Sequence, residues 1–397
     1  MRCLSGPEST RAAMLASMAN MTSPPGPETV IDGRLVMYFA GTGYFGLQGD
    51  SRVIDAACKA VRQHGVHPAT SRTGLGETPL LLQVEQLAAR WFGADDALYY
   101  VTGFAGPSVL MQCAEARFDL ILADEYAHLA SQDAIAQHGA PVLRFRHGDP
   151  QHVQEILRSR PAGEHVAVLC DGVSPVLGDV APASDYLDVI NAHGRGVLLV
   201  DDAHGVGVLG ANGRGTLEHA AEVSGRAIAV NALPDTASGD RAAWMCGTLS
   251  KALGGAGGII AGSSGFVARL KKHAHWYHGA AAPAAPGAGA TAEALAILLS
   301  EPALRVRLRH NSQRLRTGLR GLGLQVADWP TPIVCVQVGD GTNMARIQSA
   351  LFERGIAIAH SRNYAGVGDD GALRIAVFAN HTDAMIDRLT TEIAALV

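Results

Sequence analysis

The chain has 397 residues, nearly half of them apolar, and a formal net charge of −5. This length allows a large core in one or two domains, and the scattered basic residues argue against nucleic acid or an anionic membrane as partners. The six cysteines show no metal or disulfide spacing, and no stretch is apolar for long enough to span a bilayer, so we predict a cytoplasmic protein without a membrane span.

Prolines and small polar residues near the amino terminus predict a loose arm within a segment spanning residues 1–45. In residues 46–275, short apolar strands alternate with amphipathic helices such as residues 84–92. This alternation predicts a large domain with a mostly parallel sheet covered on both faces. The candidate strands are residues 97–101, 120–123, 142–145, 166–170, 197–200, 244–247 and 258–261.

The pattern changes in the last third of the chain. It predicts a small α+β domain over residues 276–397. Its candidate elements are helices at 290–299, 304–322, 343–354 and 382–396, and strands at 333–337, 356–359 and 373–378.

Lys251 lies among small and apolar residues in the segment Cys246–Gly255. Dry surroundings lower the pKa of an amine and make it a nucleophile at neutral pH, which is what an aldehyde cofactor needs to form a Schiff base. The alternative is a surface lysine at the start of a helix.

Asp201 and His204 follow the apolar strand at residues 197–200. Open α/β sheets bind ligands at the carboxyl ends of their strands. An aspartate there can keep a pyridine nitrogen protonated, or it can simply cap the turn; His204 can equally be a core histidine. Together with Lys251, this pair predicts pyridoxal phosphate as the cofactor.

Two further segments follow strands. The flat ring of His128 can stack on a cofactor, or His128 can be another core histidine. Thr102, Gly103 and Phe104 open a helical stretch whose free N–H groups can bind phosphate. The alternative is that these residues form an ordinary strand-to-helix turn.

Arg374 lies inside an apolar strand, where a buried guanidinium needs an anion: an internal carboxylate or a substrate carboxylate. The run Gly205–Gly210 has the spacing of a dinucleotide fingerprint, but no amphipathic helix follows it directly, so we do not predict a dinucleotide site. His273, His275 and His278 lack nearby thiols and carboxylates, and we predict no metal site.

Together these segments resemble the α-oxoamine synthases, a branch of the fold-type-I pyridoxal-phosphate enzymes. Asp201–His204 is similar to the family's Asp-Glu-Ala-His stretch, Thr248–Lys251 to its Thr-x-Ser/Gly-Lys stretch, and Thr102–Ala105 to its phosphate turn. His128 and Arg374 lie in segments that also resemble the family. The likeness runs from about residue 38 to the carboxyl terminus.

The resemblance implies a fold like that of aspartate aminotransferase, with a seven-stranded mostly parallel sheet, a small α+β domain and a homodimer whose active sites lie near the interface. It implies that Lys251, His128, Asp201 and His204 are catalytic. In these enzymes the residue corresponding to Lys251 holds the cofactor. The counterpart of Asp201 pairs with the pyridine nitrogen, that of His204 pairs with the phenolic oxygen, and that of His128 stacks on the ring. The phosphate is surrounded by the counterparts of Thr102, Gly103, Phe104 and Thr248, and the carboxylate of the amino acid is bound by that of Arg374.

The implied reaction is a decarboxylative condensation of an amino acid with an acyl thioester to give an α-amino ketone. Some segments depart from the family: Thr42–Leu47 lacks an asparagine, Leu81 replaces a histidine, and Tyr277–Pro283 lacks the family's serine and threonine hydroxyls. These departures leave open an aminotransferase, an amino-acid decarboxylase or a catalytically silent homologue. They also leave open coenzyme A or a carrier protein as the acyl carrier.

Overall fold

The computed structural model describes residues 19–114, 117–161, 163–233, 242–362 and 364–397, so most of the predicted amino-terminal arm lies outside the described residues. The strands are β1 (Glu28–Ile31), β2 (Arg34–Tyr38), β3 (Asp96–Tyr100), β4 (Leu120–Asp124), β5 (Val142–Phe145), β6 (Val166–Asp171), β7 (Gly196–Asp201), β8 (Ala229–Val230), β9 (Ala242–Thr248), β10 (Gly258–Gly262), β11 (Ile333–Val336), β12 (Ile356–Ala357), β13 (Ala359–Ser361) and β14 (Ala372–Ala376).

The α-helices are α1 (Ser51–His64), α2 (Pro79–Phe92), α3 (Gly106–Gln112), α4 (Leu129–His138), α5 (Pro150–Arg158), α6 (Ala183–His193), α7 (Thr216–Ser224), α8 (Ser264–His273), α9 (His275–His278), α10 (Ala285–Ser300), α11 (Ala303–Gly321), α12 (Gly341–Glu353) and α13 (Asp383–Ala394). Their ends follow the local chemistry. The Thr78 side chain accepts from the Leu81 N–H, Pro79 begins α2, and Gly93 ends it in the left-handed conformation.

The large sheet has the order β3-β10-β9-β7-β6-β4-β5, and the two-residue strand β8 pairs with β9. Strands β5, β4, β6, β7 and β9 are parallel to one another, whereas β10 is antiparallel to both β3 and β9. All seven candidate strands from the sequence lie on this path, so the mostly parallel sheet is confirmed.

Both faces of the large sheet are covered. In β4, Leu120 and Leu122 enter one hydrophobic core, while Ile121 and Ala123 enter a second core on the opposite face. Side chains alternate across a strand, so a strand buried on both faces must be apolar at every position. This explains the continuous apolar runs in the sequence.

The carboxyl-terminal part forms a three-stranded sheet, β11-β14-β13, while β12 joins β1 and β2 in another sheet. The single strand predicted at residues 356–359 is therefore wrong. The backbone leaves one ladder at Ile358, whose carbonyl accepts from Gln348 Nε2 at 3.1 Å, and it enters the other ladder at Ala359. A side-chain hydrogen bond thus replaces one step of strand pairing.

Helix α10 packs into the core of the large sheet through Ala288, Leu295 and Leu298. The division of the chain at residues 45/46 and 275/276 stays a prediction. No helix among the described residues is both long and apolar enough to cross a membrane.

Candidate active site

The carboxyl ends of the central parallel strands border a cavity of about 300 Å³, a volume at the lower end of the range for small-ligand sites. Eight of the nine predicted site residues line this cavity: Thr102, Gly103, Phe104, His128, Asp201, His204, Thr248 and Lys251. Arg374 lies outside the lining. Asp171, Pro175 and Ser250, which the sequence analysis did not identify, also line it.

Lys251 follows β9, and its backbone carbonyl accepts a 2.7 Å hydrogen bond from Gln48 Nε2. Its Nζ lies 3.0 Å from His204 Nε2. Burial lowers the pKa of the Lys251 amine, although the carboxylates of Asp201 and Asp171 oppose this shift. More of the amine is therefore neutral, and nucleophilic, than in an exposed lysine.

Asp201 ends β7 in register with Asp171, which ends the neighbouring strand β6. The His128 backbone N–H contacts both carboxylate oxygens of Asp171 at 3.2 Å. Burial raises the pKa of Asp201, while Lys251 and His128 oppose this; burial and the nearby Asp201 raise the pKa of Asp171. Two buried carboxyl groups side by side favour a cation in the space they face.

His128 is the residue before α4, and its Nδ1 accepts from the Ala130 N–H at 3.2 Å. Phe104 packs edge-on to the imidazole, with ring centroids 6.0 Å apart. Burial lowers the pKa of His128, a shift that Asp201 partly opposes. The ring that faces the cavity is therefore neutral and flat, as stacking on a heterocycle requires.

Thr102 and Thr248 border the end of the cavity where the chain leaves β3 and β9. The Thr102 hydroxyl accepts from the Phe104 N–H at 3.3 Å, and Thr248 Oγ1 lies 2.8 Å from Ser250 Oγ. A side chain at Gly103 would place its Cβ 2.6 Å from the Cβ of Thr248, so only glycine fits. Hydroxyls and backbone N–H groups are donors suited to a phosphate.

Arg374 lies on β14 and is 6 % exposed. Its Nε donates to the Pro175 carbonyl at 2.6 Å, and its Nη1 is 3.2 Å from the Ala40 carbonyl and 3.3 Å from that of Gly41. No carboxylate pairs with it among the described residues, and its buried Nη2 has no hydrogen-bond partner there. Because Pro175 also lines the cavity, Arg374 lies directly behind the cavity wall.

Asp202 faces away from the cavity. It accepts hydrogen bonds from the Thr216 backbone N–H at 2.7 Å and from the Thr216 hydroxyl at 2.6 Å, at the first residue of α7. The glycine run at Gly205–Gly210 forms turns, and the next helix begins only at Thr216. The glycines therefore do not lie at the strand–helix junction that a dinucleotide needs.

A family model for class I and II aminotransferases matches residues 40–393. The 8-amino-7-oxononanoate synthase of Thioalkalivibrio sulfidiphilus is 32% identical over 363 residues, which is 91% of this chain and 88% of that protein. That of Pseudomonas putida strain F1 is 31% identical over 374 residues, 94% of this chain and 91% of that protein. This chain belongs to the α-oxoamine synthases.

The fold of this α-oxoamine synthase matches that of Sphingomonas wittichii serine palmitoyltransferase with a TM-score of 0.86 and 24% sequence identity, over 98% of this chain and 96% of that one. The fold-type-I architecture predicted from the sequence is thereby confirmed. Solved serine palmitoyltransferases of the same fold hold PLP.

The segments in which this α-oxoamine synthase departs from its family have packing partners of their own. Leu81 is 1 % exposed in the main core. The ring of Tyr277 lies under the Arg72 guanidinium, 5.1 Å from its carbon, and Arg72 is itself paired with Glu85 and Glu77. Tyr277 thus covers a buried ion pair next to β3.

His147 joins two carboxylates beside the cavity, and the three residues are called the His147 clamp below. Its Nδ1 lies 2.8 Å from Asp124 at the end of β4, and its Nε2 lies 2.6 Å from Asp179. Burial alone would lower the pKa of His147, but its hydrogen bonds to the two aspartates raise it from 6.5 to about 10. Asp179 belongs to the turn that carries Pro175, whose carbonyl holds Arg374.

Sequence reasoning missed Asp171, Tyr44 and His147. A signal for Asp171 was present, because it follows an apolar strand in the same way as Asp201. Tyr44 is 160 positions from its partner His204, and His147 lies in a polar loop, so neither has a local pattern that marks it.

Proposed function

We propose that this protein condenses an α-amino acid with an acyl thioester, with loss of carbon dioxide, to give an α-amino ketone, and that it uses pyridoxal phosphate to do so. The observation that carries the proposal is the Lys251 amine, 3.0 Å from His204 Nε2, in a cavity that Asp201 also lines. Its curated relatives named as 8-amino-7-oxononanoate synthases support the same reaction class.

The residues of the cavity fit this cofactor. The Lys251 amine supplies the nucleophile for an aldehyde carbon, and Asp201 supplies the anion for a ring nitrogen. The neutral ring of His128 gives a stacking surface. Gly103, at which a side chain would collide with Thr248, leaves the backbone open to a close approach by the phosphate.

In this proposal the chain's own residues position the amino acid and move one proton. Bound pyridoxal phosphate supplies an electron-withdrawing ring that acidifies the α-carbon of the amino acid. Lys251 takes the α-proton as general base, which its lowered pKa suits. Asp201 keeps the ring nitrogen protonated.

Arg374 is the proposed site for the carboxylate of the amino acid. A buried donor without a partner is rare in folded proteins and points to an anion that completes its hydrogen bonds. The Nε and Nη1 atoms are held by carbonyls, so Nη2, which is buried behind the cavity wall, is the nitrogen whose hydrogen bonding a substrate carboxylate would complete.

We further propose a homodimer whose interface borders the cavity. Two apolar side chains beside the site are exposed, Phe104 by 47 % and Leu129 by 64 %. Such clustered exposure is typical of an interaction surface. In sedimentation, we expect Leu129→Glu to give monomers, whereas Val223→Glu, at an exposed position on α7, should leave the dimer intact. A wild-type monomer at micromolar concentration would refute this.

We also propose that the protein is cytoplasmic. Cys58, Cys170, Cys246 and Cys335 are free thiols, as is usual in a reducing compartment. Localisation of a tagged copy by cell fractionation tests this.

The decisive experiment mixes the purified protein with pyridoxal phosphate, a panel of amino acids and acyl thioesters on coenzyme A or a carrier protein. We expect free thiol and carbon dioxide in equal amounts. Lys251→Ala should abolish both, whereas the exposed Lys272→Ala should not.

Other outcomes would overturn the proposed condensation. Amine exchange with a keto acid, without thiol release, would show an aminotransferase. Carbon dioxide release without thiol would show a decarboxylase. Cofactor binding without any product would show a silent homologue.

A further inference from the structure

A buried tyrosine lies directly behind His204. Tyr44 follows β2 in the segment that leads to α1, and it is fully buried. Its hydroxyl oxygen is 2.7 Å from His204 Nδ1, while His204 Nε2 is 3.0 Å from Lys251 Nζ. His204 is therefore the middle member of a line of three groups that leads into the cavity.

The hydrogen between Tyr44 and His204 can in principle belong to either atom. If it belonged to Nδ1, the phenol would accept it, and the phenol's own hydrogen would need another acceptor. His204 Nδ1 is the acceptor that contacts this hydroxyl within the described chain. A buried hydroxyl hydrogen without an acceptor is costly, so the arrangement in which Tyr44 donates is preferred.

Arg374 orients the same hydroxyl. Its guanidinium acts on Tyr44 electrostatically and, because all its polar groups are donors, it cannot accept the phenol hydrogen. A nearby cation attracts the lone pairs of the oxygen and repels its hydrogen. The O–H bond consequently points away from Arg374 and towards His204.

The protonation states agree with this direction. Burial raises the pKa of Tyr44 to about 12, with Arg374 opposing, so the phenol keeps its hydrogen at neutral pH. Burial, together with the nearby Lys251 and Arg374, holds the pKa of His204 well below its usual value. The imidazole is therefore neutral, with one hydrogen and two possible positions for it.

We propose that Tyr44 is a positioning residue that fixes the tautomer of His204, with the hydrogen on Nε2, so that the imidazole presents a donor to the cavity. In the structure this donor faces Lys251 Nζ, which accepts the hydrogen when the amine is neutral, the form that its lowered pKa makes more abundant. The proposal deepens the proposed function and rests on it in one respect: the ligand atom that takes this donor is the phenolic oxygen of pyridoxal phosphate. With the other tautomer, Nε2 would present a lone pair to that oxygen and repel it.

The test is ¹⁵N NMR of the full-length protein, labelled at histidine, without cofactor. The His204 signals are assigned by comparison with His204→Gln. In the wild type we expect a pyrrole-like shift for Nε2 and a pyridine-like shift for Nδ1. In Tyr44→Phe the ratio of the two tautomers should change by at least tenfold towards hydrogen on Nδ1. Tyr186→Phe, which removes another buried hydroxyl that does not line the cavity, should leave the ratio unchanged.

A wild-type spectrum with the hydrogen on Nδ1, or an unchanged ratio in folded Tyr44→Phe, would overturn the proposal. If Tyr44→Phe does not fold, the wild-type spectrum still decides, because it reports the tautomer directly. The readout requires neither cofactor nor turnover. A protein that binds no pyridoxal phosphate would refute the proposed function and leave the tautomer result standing.

Discussion

The His147 clamp makes the stability of the fold depend on pH in a direction that can be calculated. The pKa of His147 is 6.5 in an unfolded chain and about 10 in the fold. At 1.36 kcal/mol per unit, this difference corresponds to about 5 kcal/mol of stabilisation. The His147 side chain is 22 % exposed, so solvent screens its pairing with the two aspartates. We therefore expect half of this stabilisation, about 2–3 kcal/mol.

The sign follows from the raised pKa. The folded state binds one more proton than the unfolded state between the two pKa values, so the stabilisation is complete below pH 6.5 and is lost as the pH rises towards 10. The titrating ring faces Asp124 and Asp179, and the Glu125 carboxylate accepts from the His147 backbone N–H at 3.1 Å.

The assay compares the wild type with His147→Gln by urea unfolding at fixed protein and cofactor concentrations, from pH 6 to pH 10. The difference in the free energy of unfolding should shrink by about 2–3 kcal/mol across this range. His310→Gln, which removes an exposed histidine 3.3 Å from Asp383, is the control and should show a nearly constant difference. A constant difference for His147→Gln as well would refute the reasoning.

Three further outcomes are expected at the cavity. Gly103→Ala should weaken pyridoxal phosphate binding at least tenfold in equilibrium dialysis, because the new Cβ would lie 2.6 Å from the Cβ of Thr248. Gly265→Ala is the control: its Cβ would lie 3.4 Å from the nearest atom, so this variant should bind normally. Asp201→Asn should lower kcat by about 10²-fold while the protein stays folded by circular dichroism; a kcat within threefold of wild type would contradict its role. Arg374→Lys keeps the charge but loses the fork, so KM for the amino acid should rise by about tenfold or more in initial-rate assays with cofactor binding unchanged; an unchanged KM would place the carboxylate elsewhere.

The sequence identified the strands that form the large sheet because each is apolar at every position, as burial on both faces demands. The same logic located Asp201 and Lys251, since each follows such a strand and carries a group that is costly to bury. Strand β8 was missed because two residues are too short to show a pattern. The change of sheet at Ile358 depends on a hydrogen bond from Gln348, and a side-chain contact of this kind leaves no periodic trace.

Residues that act on other residues were harder to predict. The aromatic ring of Tyr44 suits an ordinary core position, and only its distance to His204 indicates another role. For Arg374, the sequence left two anions open as partners. The structure instead supplies backbone carbonyls for two of its nitrogens, an arrangement that no spacing of acidic residues could have indicated.

The single residue between β12 and β13 has a mechanical consequence. Phe39 donates its N–H to the Ala357 carbonyl and accepts from the Ala376 N–H, while β13 pairs with the strand that carries Arg374. The Arg374 guanidinium, the Ala40 and Gly41 carbonyls that accept from it and the chain leading to Tyr44 are thus linked by backbone hydrogen bonds into one block, whereas the Pro175 carbonyl lies outside it. We expect this block to move as a unit in any closing motion over a substrate. The hinge of such a motion would then lie outside these two strand ladders.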